Sequence, residues 1–169
     1  MTQPTMSENA DTPGKYLDRP SAFPWPPVLW FGAIALAWLA QTLWPLAWPG
    51  IDDLAARLVG WGLGLGGVAL FVWALLALRA AGTTILPDKG SDALVTTGPF
   101  QRFRNPIYLA QVMILLWLAE YSKNPWFIVF AFVHVVLVTA LAIIPEERHL
   151  EARFGAAYAD YKARSRRWI

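Results

Sequence analysis

Four stretches of the chain carry little or no charge, and polar segments divide them. No charged residue occurs from Pro20 to Ile51, and Val28–Leu46 reads as a first helix of membrane length. Leu58–Leu78, uncharged between Arg57 and Arg79, reads as a second; Asn124–Pro145 holds a fourth, Trp126–Ile144. A spanning helix needs about 20 apolar residues, because the hydrocarbon core is about 30 Å thick. Asn105–Ala119 offers only 15 residues before Glu120, or roughly 22 Å at the α-helical rise. It reads as a short third helix, paired with the fourth through the turn Ser122-Lys123-Asn124-Pro125, its far end inside the bilayer or thinning it.

Composition supports this pattern. The 169 residues are 56% hydrophobic and 15% charged, against about a quarter charged in soluble domains. That balance excludes a disordered chain and an ordinary soluble globule. With no cysteine, a disulfide scaffold, a thiolate metal site and a cysteine nucleophile are excluded. His134 and His149 are too few for a histidine-rich metal centre, so no metal is expected, and neither is a nucleic-acid partner. His134, alone in the fourth span, is expected to hydrogen-bond another helix, and His149 to lie on the surface. The glycines Gly60, Gly62, Gly64, Gly66 and Gly67 are expected to let the second helix pack closely on a neighbour.

The basic residues are unevenly placed. Lys15, Arg19, Arg79, Lys89, Arg102, Arg104, Arg148, Arg153, Lys162, Arg164, Arg166 and Arg167 fall on one side of a four-span topology; Arg57 and Lys123 fall on the other. The positive-inside rule then places both termini in the cytoplasm of a multi-pass inner or plasma membrane protein. The expected architecture is an all-α integral membrane protein with four transmembrane helices and a C-terminal amphipathic cytoplasmic helix. Three segments are read: a polar, proline-rich leader over 1–26 without the pattern of a cleaved signal, two helices over 27–79, and a core of loop, helical hairpin and tail over 80–169.

Two cytoplasmic segments hold most of the polar material. The loop opens Ala81-Gly82-Thr83-Thr84 and closes on Leu94-Val95-Thr96-Thr97-Gly98-Pro99-Phe100, then Arg104-Asn105-Pro106-Ile107-Tyr108. Gly98-Pro99 signals a turn, and Asn105-Pro106 reads as the N-cap and first position of the third helix. The tail begins Pro145-Glu146-Glu147, a proline-led helix start with acids suited to its dipole. Leu150, Phe154, Ala157, Tyr158 and Tyr161 then share one face, the pattern of an interfacial helix. Two carboxylates where the fourth span leaves the bilayer require a cationic partner: a ligand, or Arg104.

These pieces, with Phe154-Gly155-x-x-Tyr158-x-x-Tyr161, resemble the isoprenylcysteine carboxyl methyltransferase family. More broadly they are similar to the membrane-embedded methyltransferases that include phospholipid N-methyltransferases. The resemblance covers about residues 82–169. It implies an S-adenosylmethionine-dependent enzyme whose cofactor touches Leu94, Val95, Phe100, Asn105, Pro106, Ile107, Tyr108 and Glu146. Two departures leave the acceptor open between an isoprenylcysteine-like carboxylate and a lipid headgroup. Asn105 stands where eukaryotic members have histidine, and Leu141 where they have a substrate-linked arginine.

The chemistry of the cofactor fits these residue types. Glu146 suits its α-ammonium through a charge-assisted hydrogen bond, Arg104 suits its carboxylate, and the rings of Phe100, Tyr108 or Tyr158 suit the sulfonium methyl. Arg104 and Glu146 are the candidate catalytic residues. An ideal helical wheel instead puts Glu147 on the Leu150/Phe154/Tyr158 face and Glu146 at its edge, so both acids are kept. The expected function is methyl transfer to a lipophilic acceptor among the membrane lipids. The alternatives are an NADPH-dependent reductase of sterol-reductase type and a non-enzymatic scaffold.

Overall fold

A computed structural model describes residues 23–50, 52–82 and 93–169. The leader up to residue 22, with Lys15 and Arg19, and the loop residues Thr83, Thr84 and Lys89 lie outside them. Among the described residues the named elements are helical: α1 (Trp25–Leu43), α2 (Leu54–Ala80), a 3-10 turn (Gly98–Gln101), α3 (Pro106–Ser122), α4 (Trp126–Val138), a π-turn (Thr139–Ile143), α5 (Ile144–Phe154) and α6 (Ala156–Arg164). Three helices are long and apolar enough to cross a bilayer: α1, α2 and the continuous helix Trp126–Phe154. The chain is a membrane protein. α3 has 17 residues, about 25 Å of helix, so the expected four spans become three of full length and one short apolar helix.

Prolines set the ends of α1, which begins and ends three residues before the expected Val28–Leu46. Pro26 and Pro27 sit in its first turn, where a missing N–H costs nothing. Trp44 leaves the helix at φ −136°, as expected of a residue preceding proline. α2 starts on Asp53, whose carboxylate accepts the Ala56 N–H at 2.8 Å.

The helices are ordered α1, α4, α3, α2 in space, so the α3–α4 hairpin lies between the first two helices. Lipid is as apolar as leucine, so close packing and interhelical hydrogen bonds hold such an assembly. On α2, Gly60, Gly64 and Gly67 are buried. A Cβ on Gly64 would lie 2.6 Å from the Trp117 ring, and one on Gly60 would lie 2.5 Å from Glu120 Cγ. The spacing by four therefore puts bare backbone beneath two side chains of α3; at Gly62 a Cβ would meet nothing within 4 Å. Across α1 and α4, Ala33 and Ala37 pack with Phe127 and Ala131. Asn124 ties the hairpin turn to α1 by donating to the Ala37 carbonyl at 3.1 Å, while its Oδ1 accepts the Trp126 N–H at 2.9 Å. His134 makes the expected bond between helices, its Nε2 lying 3.2 Å from Gln111 Oε1.

Two expectations for the tail fail. Pro145 does not begin a new helix, because α4 runs through it into α5. A proline inside a helix lacks an N–H and presses on the carbonyl four residues back; the preceding π-turn widens the helix there and absorbs it. Glu146 and Glu147 therefore do not cap a free helix N-terminus. Nor is the tail one amphipathic helix. Gly155 breaks it at φ +50°, a left-handed conformation that glycine adopts readily. Glu151 and Lys162 form an ion pair, although eleven residues of straight helix would hold them about 16 Å apart. The face from Leu150 to Tyr161 is thus split between α5 and α6: Tyr158 and Tyr161 are buried, Leu150 and Phe154 half-buried, and Ala157 exposed. His149, expected on the surface, is 0% exposed.

Candidate functional site

The segment before α3 and the segment after α6 run side by side. The Arg104 N–H donates to the Arg166 carbonyl at 2.7 Å, and the Arg166 N–H to the Arg102 carbonyl at 2.9 Å, a short parallel bridge centred on Phe103. The Tyr161 hydroxyl donates to the Phe100 carbonyl at 2.7 Å. Asn105 is the residue before α3, but its side chain makes no cap bond. Its carbonyl accepts the Leu109 N–H, and its Nδ2 donates to the Arg167 carbonyl at 2.9 Å. Asn105 thus holds the expected cap position before Pro106, while its side chain straps the loop to the tail.

Glu147 lies at the centre of this clasp. Arg104 Nε approaches its Oε1 at 3.4 Å, and Arg167 reaches both oxygens, Nε to Oε1 at 3.0 Å and Nη2 to Oε2 at 2.6 Å. The Arg104 side chain is 11% exposed and that of Glu147 10%. Arg104 Nη1 also donates to the carbonyls of Lys162 and Ser165 and to Ser165 Oγ. A buried ion pair is tolerated only when further hydrogen bonds satisfy its remaining donors and lone pairs, and these backbone carbonyls do so. Arg104 is thereby committed to the protein.

Glu146 stands one residue before the clasp and makes a different contact. The Tyr108 hydroxyl donates to its Oε2 at 3.3 Å, the one hydrogen bond of Glu146 among the described residues. Tyr108 packs with Val138, Ala142 and Ile143, and Ile107, Leu29 and Trp168 lie against that cluster. Tyr158 is 1% exposed, and its hydroxyl is buried without a hydrogen-bond partner. Burial pushes the Tyr161 phenol up to about 12 and raises that of Tyr158 as well, so both are protonated at neutral pH and neither is a base there.

The expected site residues divide accordingly. Arg104, Asn105 and Glu147 join the clasp; Tyr108 and Glu146 meet each other; Tyr158 is buried on α6. Leu94, Val95 and Phe100 are half-buried in the segment leading to α3, and Pro106 is buried at its start. Gly98 seats this segment on α2: its φ is +60°, and a Cβ there would lie 3.2 Å from Trp73 Nε1. Arg167, Ser165 and Trp168 were not foreseen. The sequence marked Arg167 only as one of several basic residues, and carbonyl contacts leave no mark in side-chain identity.

A family model described as phospholipid methyltransferase matches residues 55–157. No curated protein and no solved structure matches the chain.

Proposed function

The chain belongs to the phospholipid methyltransferase family, and from that premise we propose that it uses S-adenosylmethionine to methylate a lipophilic acceptor drawn from the surrounding bilayer. The observation that carries this reading is the clasp, which closes the loop and the tail beside Tyr108, Glu146 and Tyr158. These residues fit the cofactor. The Tyr158 hydroxyl is a buried polar group without a partner, a feature that calls for explanation in a native structure, and Glu146 is a carboxylate with one neutral donor. When bound, S-adenosylmethionine supplies an electrophilic methyl on its sulfonium.

Around it, Glu146 would hold the α-ammonium by a charge-assisted bond, with Tyr108 fixing the carboxylate. The aromatic faces of Phe100 and Tyr108 suit the sulfonium methyl. Leu94, Val95, Pro106 and Ile107 exclude water, and the clasp through Arg104, Asn105 and Glu147 fixes the two walls relative to each other. Positioning and exclusion of water are what a displacement of this kind requires. The acceptor is an isoprenylcysteine-like carboxylate or a lipid headgroup. The basic bias of the segments at this end supports its placement on the cytoplasmic side of the inner or plasma membrane, with α3 as a short fourth crossing. The family match disfavours an NADPH-dependent reductase and a scaffold.

Incubating the purified protein with a labelled methyl donor and a total lipid extract, then identifying products by mass spectrometry, tests the reading. A labelled lipid is expected, together with binding of S-adenosylhomocysteine that Glu146→Ala abolishes. Undiminished affinity in that variant overturns the pocket.

A further inference from the structure

The other end of the α2–α3 pair carries a second cluster that the methyl-transfer reading does not use. A cavity of about 220 Å³ opens there, lined by Arg57, Trp61, Trp117, Glu120, Tyr121 and Lys123. The three rings form one wall: Trp61 and Trp117 lie 5.6 Å apart, Trp117 and Tyr121 5.5 Å, and Trp61 and Tyr121 6.1 Å, the last pair edge to face. Glu120 adds a carboxylate on a side chain only 13% exposed, seated over Gly60. The rim carries two cations. Arg57 meets Asp52 at 3.0 Å, and Lys123 bridges Asp52 at 3.1 Å and Glu120. Lys123 Nζ also stands 5.4 Å from the Trp48 ring centroid.

We propose that this cavity binds a zwitterionic headgroup in which a quaternary ammonium is joined to a phosphate diester. Electron-rich ring faces attract cations that carry methyl groups in place of N–H donors, and the Glu120 carboxylate, shared with Lys123, lies beside them. The phosphate belongs on the rim, where it would share Arg57 and Lys123 with Asp52. The cavity is smaller than the roughly 300–1,000 Å³ of pockets for drug-sized ligands, so it admits a headgroup and leaves acyl chains outside. Its level agrees: Arg57 and Lys123 mark where the apolar stretches of α2 and α3 stop, and exposed aromatics such as Trp61 and Tyr121 (49% and 64%) sit at headgroup depth in membrane proteins. Glu120 and Tyr108 are twelve residues apart on α3, roughly 18 Å along the helix. The inference is therefore independent of the methyl-transfer reading.

The full chain, purified in a maltoside detergent, is titrated calorimetrically with dihexanoyl phosphatidylcholine, dihexanoyl phosphatidylglycerol and glycerophosphocholine. Binding of the two choline probes but not of the glycerol lipid is expected. Equal affinity for the two choline probes identifies the headgroup as the whole ligand, and tighter binding of the lipid adds its chains; both support the proposal. Trp61→Leu and Tyr121→Leu, at exposed positions, are each expected to weaken choline binding about tenfold, the scale of one desolvated cation–ring contact, while the melting temperature and the affinity for S-adenosylhomocysteine stay unchanged. Equal binding of the glycerol lipid, no binding of either choline probe, or undiminished affinity in both folded variants overturns it; the last result is what a mere interfacial belt of aromatics would give.

Discussion

Arg104 and Glu147, forty-three positions apart in sequence, meet at 3.4 Å, and the loop and the tail close where they meet. The pair is buried, so losing Glu147 strips Arg104 of its carboxylate, whereas losing Arg104 leaves Glu147 to Arg167 alone.

Glu147→Ala is expected to destabilise the protein by about 3–5 kcal/mol, the cost of leaving a buried charge unpaired. Arg104→Ala should cost less, because Arg167 still pairs Glu147, and the double variant should cost clearly less than the sum. Thermal-shift midpoints of the four proteins in detergent check this. Additive losses would mean that the two residues do not act as a pair.

Tyr158 and Tyr161 differ by one hydrogen bond, and their phenylalanine variants should differ likewise. Tyr161→Phe loses the bond to the Phe100 carbonyl and should cost about 1 kcal/mol. Tyr158→Phe removes a hydroxyl without a partner, so the ligand-free protein should be unchanged or slightly more stable. Its affinity for S-adenosylhomocysteine should fall if that hydroxyl faces the cofactor. Calorimetric titration beside a melting curve separates the two effects.

The glycines of α2 give a graded series. Gly64→Val drives a side chain into the Trp117 ring and should destabilise by about 1–3 kcal/mol, the usual cost of overpacking. Gly62→Ala enters open space, so it should be neutral or stabilising by up to about 1 kcal/mol through helix propensity. Denaturation midpoints in mixed micelles compare them directly.

His134 and Gln111 form a bond inside the apolar part of the bundle. His134→Leu leaves the buried Gln111 amide oxygen without its imidazole partner and should cost about 1–3 kcal/mol, whereas replacing both residues by leucine should restore most of the loss. A double-variant cycle on melting free energies measures the coupling.

The helices were legible because lipid imposes a long uncharged run on whatever crosses it, and the runs around Trp30, Leu70 and Phe130 have no other reading. The meeting of loop and tail was legible as motif order, from Arg104-Asn105-Pro106 and Glu146-Glu147. The division of labour within the site was not. An ideal wheel carried one face through Gly155, although a glycine just past a helix end is a stop signal. Which acid faces Arg104 depends on the phase of the helix after the π-turn, and no pattern of apolar residues reports that phase. Asn105 suited a cap by type, but a carbonyl of the tail took its amide.

The π-turn at Thr139–Ile143 therefore acts as a phase adjuster. One residue more or fewer in that turn would swing everything downstream by about 100°, the angle per residue of an α-helix. A homologue with a single-residue deletion there would present a neighbouring position to Tyr108 in place of Glu146. The gap in such an alignment would mark a handover of that contact from Glu146 to the next acid along the chain.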